Sequence, residues 1–109
     1  MFKYLEKEEM EIVIDAMDEK IYASGDQVIT QGDDGNELYV IYKGNLNCTK
    51  TYPGKNEEVF LKKYEDGEVF GELCLLYNTP RAASIKCITD CILFSLDRET
   101  FNHIGNKFN

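Results

Sequence analysis

Gly71-Glu-Leu-Cys74 and Arg81-Ala-Ala83 are the stretches of this 109-residue chain where residue type and spacing point to chemistry. Arg81 carries a guanidinium fork, which suits a phosphate because two N–H groups can meet two oxygens at once. Glu72 carries a carboxylate that can accept a hydrogen bond from a sugar hydroxyl, the part an acidic residue plays in dinucleotide sites. Gly71 leaves room for close backbone approach. Leu73-Cys-Leu-Leu-Tyr77 reads as one or two helical turns, and the first amides of any helix lack intrahelical acceptors and suit an anion. Asn78-Thr-Pro80 is a breaker, and Ala82 and Ala83 keep the next strand slim. A compact phosphorylated ribose finds its partners in such a segment. Each hydrogen bond to a charged group contributes roughly 1.5–3 kcal/mol, so a few of them support micromolar binding, on the order of −8 kcal/mol. The same residues also have a plainer reading. Glu72 and Arg81 can form an ion pair that closes a loop, with Leu73, Leu75 and Leu76 in an ordinary core.

Other chemistries find less support. The chain holds 20 acidic residues, so carboxylate pairs are plentiful, but no spacing singles out a pair for acid–base work. A Ser–His or Cys–His nucleophile would need His103, the sole histidine, which falls on an expected C-terminal helix. There is no Gly-x-Ser-x-Gly elbow. In Asp33-Asp-Gly-Asn-Glu37 the glycine is third and the glutamate fifth, whereas a calcium loop needs them sixth and twelfth, so this is a turn. Gly54-Lys55 lacks the rest of a P-loop and reads as a hairpin. Cys48, Cys74, Cys87 and Cys91 form no Cys-x-x-Cys and sit in apolar or alternating runs, as buried free thiols do. No catalytic residue, metal or cofactor is expected.

Net charge is −8. A polymeric nucleic acid would meet repulsion over most of such a surface, whereas a small anion needs only one pocket of positive charge. Met1-Phe-Lys-Tyr-Leu5 runs straight into Glu6-Lys-Glu-Glu9, with no signal-peptide stretch. The apolar runs are of strand length, so membrane insertion is not expected.

The elements that must position the segment follow from periodicity. Met10, Val13, Ile14 and Met17 form the apolar stripe of a helix over about Glu6 to Met17. From Lys20 onward, short β-type runs alternate with glycine punctuation: 21–23, 28–30, 38–43, 46–52 and 59–64, then 85–89 and 91–96 after the segment. This pattern predicts a mainly β fold, an eight-stranded jelly-roll-type β-barrel with flanking α-helices. Asp97 is a good N-cap for a second helix. The expected organisation is one domain over 1–109, with a helical element at 1–19, the barrel at 20–96 and the start of a C-terminal helix at 97–109.

Phe70-Gly-Glu-Leu-Cys-Leu-Leu-Tyr-Asn-Thr-Pro-Arg-Ala-Ala-Ser84 closely resembles the phosphate-binding cassette of the cyclic nucleotide-binding domain family. The likeness is nearest to the regulatory subunits of cAMP-dependent protein kinase and extends over nearly the whole chain. Phe2-Lys-Tyr-Leu5 is similar to the family's N-terminal helical element, and Ser24-Gly-Asp26, Gln31-Gly-Asp-Asp-Gly35 and Tyr42-Lys-Gly44 to its barrel turns. The resemblance implies that Glu72 accepts the ribose 2′-hydroxyl and that Arg81 grips the cyclic phosphate. Gly71 and backbone N–H groups around Leu73, Cys74, Ala82 and Ala83 would complete the anion site, with Leu73 beside the ribose. Relatives that prefer cGMP commonly place threonine after the arginine. This chain has Ala82, which implies cAMP. A hydrophobic residue after the barrel caps the base in the family. Phe101 and Phe108 are candidates, although Phe101 is the better fit to plain packing on the barrel.

The implied role is regulatory and cytoplasmic. The domain would bind cAMP, and by resemblance its partner would be the catalytic subunit of a protein kinase, released from inhibition when cAMP binds. An Arg-Arg-x-x inhibitory segment, a dimerisation helix and a second tandem domain do not occur in the sequence, so a fragment of a longer protein is expected. The competing parents are a cGMP-dependent kinase, a channel or an exchange factor. A bacterial-type transcription sensor would need a helix-turn-helix, and a cupin-type enzyme would need several histidines. A barrel that has lost its ligand and serves only interactions remains a further alternative.

Overall fold

The computed structural model describes residues 15–108, with side chains over 15–103. Among the described residues eight strands and two helices follow in chain order. They are β1 (Asp18–Tyr22), β2 (Gln27–Ile29), β3 (Glu37–Lys43), β4 (Leu46–Lys50), β5 (Val59–Tyr64) and β6 (Val69–Phe70). Helix α1 (Glu72–Tyr77) comes next, then β7 (Ser84–Cys87), β8 (Cys91–Asp97) and helix α2 (Arg98–Phe108). The strands form two four-stranded sheets, ordered β1-β8-β3-β6 and β2-β7-β4-β5, all of whose pairs are antiparallel. The architecture is a jelly-roll-type sandwich rather than a closed barrel. β6 has only two residues, Val69 and Phe70, which is why periodicity alone passes over it. The expected helix over 6–17 falls largely outside the described residues.

Glu37-Leu-Tyr-Val-Ile-Tyr-Lys43 shows why one strand organises the molecule. Tyr39 and Ile41 point between the sheets and join the larger core cluster, with Ile29, Leu46, Phe70, Ile85 and Leu93. Leu38 and Val40, on the alternate face, join a second cluster with Val69, Leu75 and Leu96, against which Met17 and Phe101 pack. Successive strand residues face opposite ways, so a continuous apolar run is buried on both sides. The second cluster draws α1 and α2 onto the outer face of the β3 sheet. Phe101 therefore packs on the sandwich, as the plainer reading of it expects. The side chain of Phe108 lies outside the described residues.

Both helix α2 and the β2–β3 loop are held by named contacts. Asp97 Oδ1 accepts from Thr100 N at 2.8 Å, the N-cap bond expected of it. Gln31 donates through Nε2 to Thr51 O at 2.9 Å and accepts from Thr51 N at 2.8 Å, while Gln31 N donates to Ser84 Oγ at 2.9 Å. The loop is thus pinned to the end of β4 and the start of β7. It lies beside the chain that carries Arg81.

Candidate functional site

Phe70 closes β6 and Gly71 turns the chain into α1. Gly71 has φ +85°, a left-handed conformation that glycine adopts without a Cβ penalty. A Cβ there would stand 2.8 Å from Arg81 Nη1 and 3.0 Å from Glu37 O, so space as well as dihedral angle requires glycine. The helix runs for six residues and ends at Asn78, whose φ of 53° is left-handed too. Asn tolerates that conformation better than most residues, and Pro80 then leads the chain out to Arg81.

Arg81 is buried, with 8% of its surface exposed. Its backbone is clamped to the β2–β3 loop: Arg81 N donates to Asp33 O at 2.8 Å, and Gly32 N donates to Arg81 O at 2.8 Å. Its guanidinium lies between two glycines. Nη1 donates to Gly71 O at 3.3 Å, and a Cβ on Gly35 would collide with Nε and Cζ of Arg81. Gly35 is therefore a site residue that motif reading took only for a turn. Its signal is the glycine of Gly32-Asp-Asp-Gly35, whose reason becomes visible only once Arg81 is folded against it.

The ion-pair alternative does not hold. Among the described residues the ion pairs are Lys20–Glu37 at 3.6 Å and Lys62–Glu68 at 3.3 Å, and neither involves Arg81. A buried cation without a carboxylate partner is costly, and an incoming anion removes that cost.

A cavity of about 180 Å³ opens beside the guanidinium. Gly71, Glu72, Leu73, Cys74, Arg81, Ala82 and Ala83 all line it, and Ile29, Cys48, Tyr64, Phe70 and Ile85 complete the wall. Leu75 belongs to the second core cluster, whereas Leu73 is half exposed at the cavity. Ala82 is exposed and Ala83 half-buried. The inner wall is apolar and the end near Arg81 is polar, the usual division in a small-ligand pocket. Burial pushes the Tyr64 phenol up to about 12, so it stays protonated and can both donate and accept. Among the described residues no group of His, Cys, Asp and Glu is arranged to hold a metal ion.

Arg98 is a second residue tied to the cavity helix that motif reading missed. Its side chain reaches from the start of α2 to the end of α1, donating through Nη2 to Cys74 O at 2.7 Å and Asn78 Oδ1 at 3.3 Å. Nε donates to Leu75 O at 3.1 Å, and the Arg98 backbone N donates to Asn36 O at 3.0 Å. Of these acceptors, Cys74 O and Leu75 O are carbonyls that a helix end leaves without intrahelical donors. One residue thus joins the cavity helix, the β2–β3 loop and α2.

A family model described as the cyclic nucleotide-binding domain matches residues 19–107. The chain belongs to the cyclic nucleotide-binding domain family. Among its relatives the domain is similar to the cAMP-dependent protein kinase type II regulatory subunit of Drosophila melanogaster, at 42% identity over 104 residues. That match covers 95% of this chain and 26% of the relative, so the chain spans about a quarter of that protein's length. Among solved structures it is similar to the regulatory domain of Toxoplasma gondii PKA crystallised with cAMP. There the identity is 44% and the TM-score 0.79, over 92% of this chain and 38% of that one. Thermus thermophilus catabolite activator protein also shares the fold, with a TM-score of 0.86 and 30% identity over 95% of this chain and 48% of that one. No helix among the described residues of the domain is long and apolar enough to cross a membrane.

Proposed function

We propose that this domain binds cAMP in the cavity beside Arg81 and acts as the sensor of a cAMP-dependent protein kinase regulatory subunit. The observation that carries the reading is Arg81, buried, clamped through its backbone and without an acidic partner among the described residues, facing a cavity of ribose-phosphate size. In this reading Arg81 binds the cyclic phosphate. The first-turn amides of α1 and the backbone at Ala82 and Ala83 add donors, and Glu72 accepts from the ribose 2′-hydroxyl. The T. gondii regulatory domain bound to cAMP, at 44% identity, supports the choice of ligand.

Ala82 argues for adenine over guanine. A hydrocarbon side chain at the exposed rim offers the guanine amino group nothing, and a missing polar partner costs guanine recognition without hindering adenine. Output follows from linkage: ligand that prefers one arrangement of α1 biases the elements tied to it. Arg98 ties α2 to α1, so release of a kinase catalytic subunit, the partner implied by the relatives, is the regulatory step to which α2 contributes. The domain itself catalyses nothing in this reading, and its setting is cytoplasmic.

A thermal-unfolding titration tests the proposal. Ligand at a hundred times Kd stabilises the folded state by ~2.7 kcal/mol, so saturating cAMP raises Tm. No shift with either cAMP or cGMP sinks the reading in favour of an interaction-only domain. A larger shift with cGMP overturns the adenine assignment alone.

A further inference from the structure

Two thiols stand in the cavity wall. Cys48 enters from β4 with 8% exposure and Cys74 from α1 with 2%. Cys87 and Cys91 are also buried, but they stand at either end of the turn between β7 and β8 and are not part of that wall. Lys62 lies opposite Cys48 in the β4–β5 register. Burial pushes the Cys48 thiol up, and the Lys62 ammonium partly offsets this by favouring the thiolate. Ile29, Phe70 and Ile85 make the surrounding wall apolar, which admits an uncharged reagent more readily than an ionic one. Cys87, by contrast, is pushed up to about 12, chiefly by burial.

Resting on the nucleotide-site reading, we propose that Cys48, and more slowly Cys74, are modification sites for small uncharged α,β-unsaturated carbonyl compounds, and that adduct and cyclic nucleotide exclude each other. The thiolate sulfur adds to the β-carbon of the electrophile. One S–C bond forms as the C=C π bond breaks, and the α-carbon takes a proton from water in place of the one the thiol released. The net change is an addition, with no leaving group and no change of oxidation state to balance. An adduct on Cys48 occupies part of the roughly 180 Å³ that the ribose phosphate needs. Bound nucleotide in turn fills the approach to the sulfur. The domain would thereby lose its response to cAMP under electrophile stress.

The test treats the chain with N-ethylmaleimide at neutral pH, with and without cAMP, and follows each cysteine by peptide mass spectrometry. Calorimetry on the same preparation measures cAMP binding. At a hundred times Kd about 1% of sites are empty, so cAMP slows Cys48 labelling by up to about a hundredfold, while Cys87 and Cys91 stay unlabelled in both samples. Arg81→Ala keeps Cys48 reactive but loses protection at that cAMP concentration. Protein carrying the Cys48 adduct binds cAMP at least about tenfold more weakly. Measurable cAMP binding with unchanged Cys48 labelling overturns this inference alone, as does a Cys48 that resists the reagent in the unliganded protein. Absence of cAMP binding by the unmodified chain overturns the nucleotide-site reading and this inference with it.

Discussion

Arg81 shows how the surroundings of a single side chain set what it can bind. The guanidinium is held out of bulk water, and among the described residues it is held by a 3.3 Å bond to the Gly71 carbonyl rather than by a carboxylate. Arg81→Ala should weaken cAMP binding at least about a hundredfold, or ~2.7 kcal/mol, as read by isothermal titration; unchanged affinity would place the ligand elsewhere. Gly35→Ala tests the cradle rather than the charge. Its Cβ displaces the far end of a flexible side chain, so the fold survives while cAMP binding falls by about tenfold or more, ~1.4 kcal/mol. Affinity measured beside Tm separates the two effects, and a fall in Tm with intact binding would contradict the cradle. Ala82→Thr places a hydroxyl at the exposed rim and should narrow the gap between cAMP and cGMP affinities.

The short helix α1 is an element that cannot stand alone. Six residues are too few for a stable isolated helix, and Gly71 gives its start no side-chain cap. Packing of Leu75 in the second core cluster and the donors of Arg98 hold it. Arg98 is half-buried, so Arg98→Ala should cost about 1–2 kcal/mol in urea unfolding and also weaken cAMP binding. Lysine should rescue only part of this, because a single ammonium cannot span the carbonyls that the planar fork reaches. Equal behaviour of Arg98→Ala and wild type would remove Arg98 from the coupling. At the start of α2 the N-cap sets a pH dependence. Bonds from the Thr100 backbone N–H, and then its hydroxyl, hold the Asp97 carboxyl below its ordinary value of 3.8. A lowered folded-state value means that the stabilisation is complete above the ordinary Asp range and is lost as pH falls through the folded value. The stability difference between wild type and Asp97→Ala should therefore be constant near neutrality and shrink in acid. A difference that persists unchanged at the lowest pH would refute the assignment.

At the scale of the molecule, β3 separates two cores and links them. Leu38, fully buried beside Val69 and Leu96, joins the β3 sheet to the face that carries both helices. Leu38→Ala should cost about 2–5 kcal/mol of stability, and it should loosen α1 and α2 before the Tyr39–Ile41 core. Hydrogen exchange would show this as earlier loss of protection in the helices than in β4 and β7, and uniform loss across the chain would contradict the two-cluster view.

Much of this was readable in the one-dimensional pattern. Alternation and glycine punctuation gave the strands from 28–30 to 91–96 apart from the two-residue β6, and Asp97 announced the second helix. Glu72, Arg81 and their neighbours lie close in the chain, where residue type and spacing left a phosphate site and an ion pair both open and the family resemblance favoured the first. What spacing could not carry was distance in space. Gly35 and Arg81 are remote in sequence, and only the clamp of the β2–β3 loop onto Arg81 brings them together. Arg98 read as an ordinary helix residue until the second core placed α2 against α1. Closure was likewise a matter of pairing: short strands with turns suit a barrel or a sandwich equally, and the hydrogen-bonded order of two four-stranded sheets settles it as a sandwich. Local chemistry is written in residue type and spacing, whereas the partners that give a buried cation its shape and its neighbours are set by contacts across the fold.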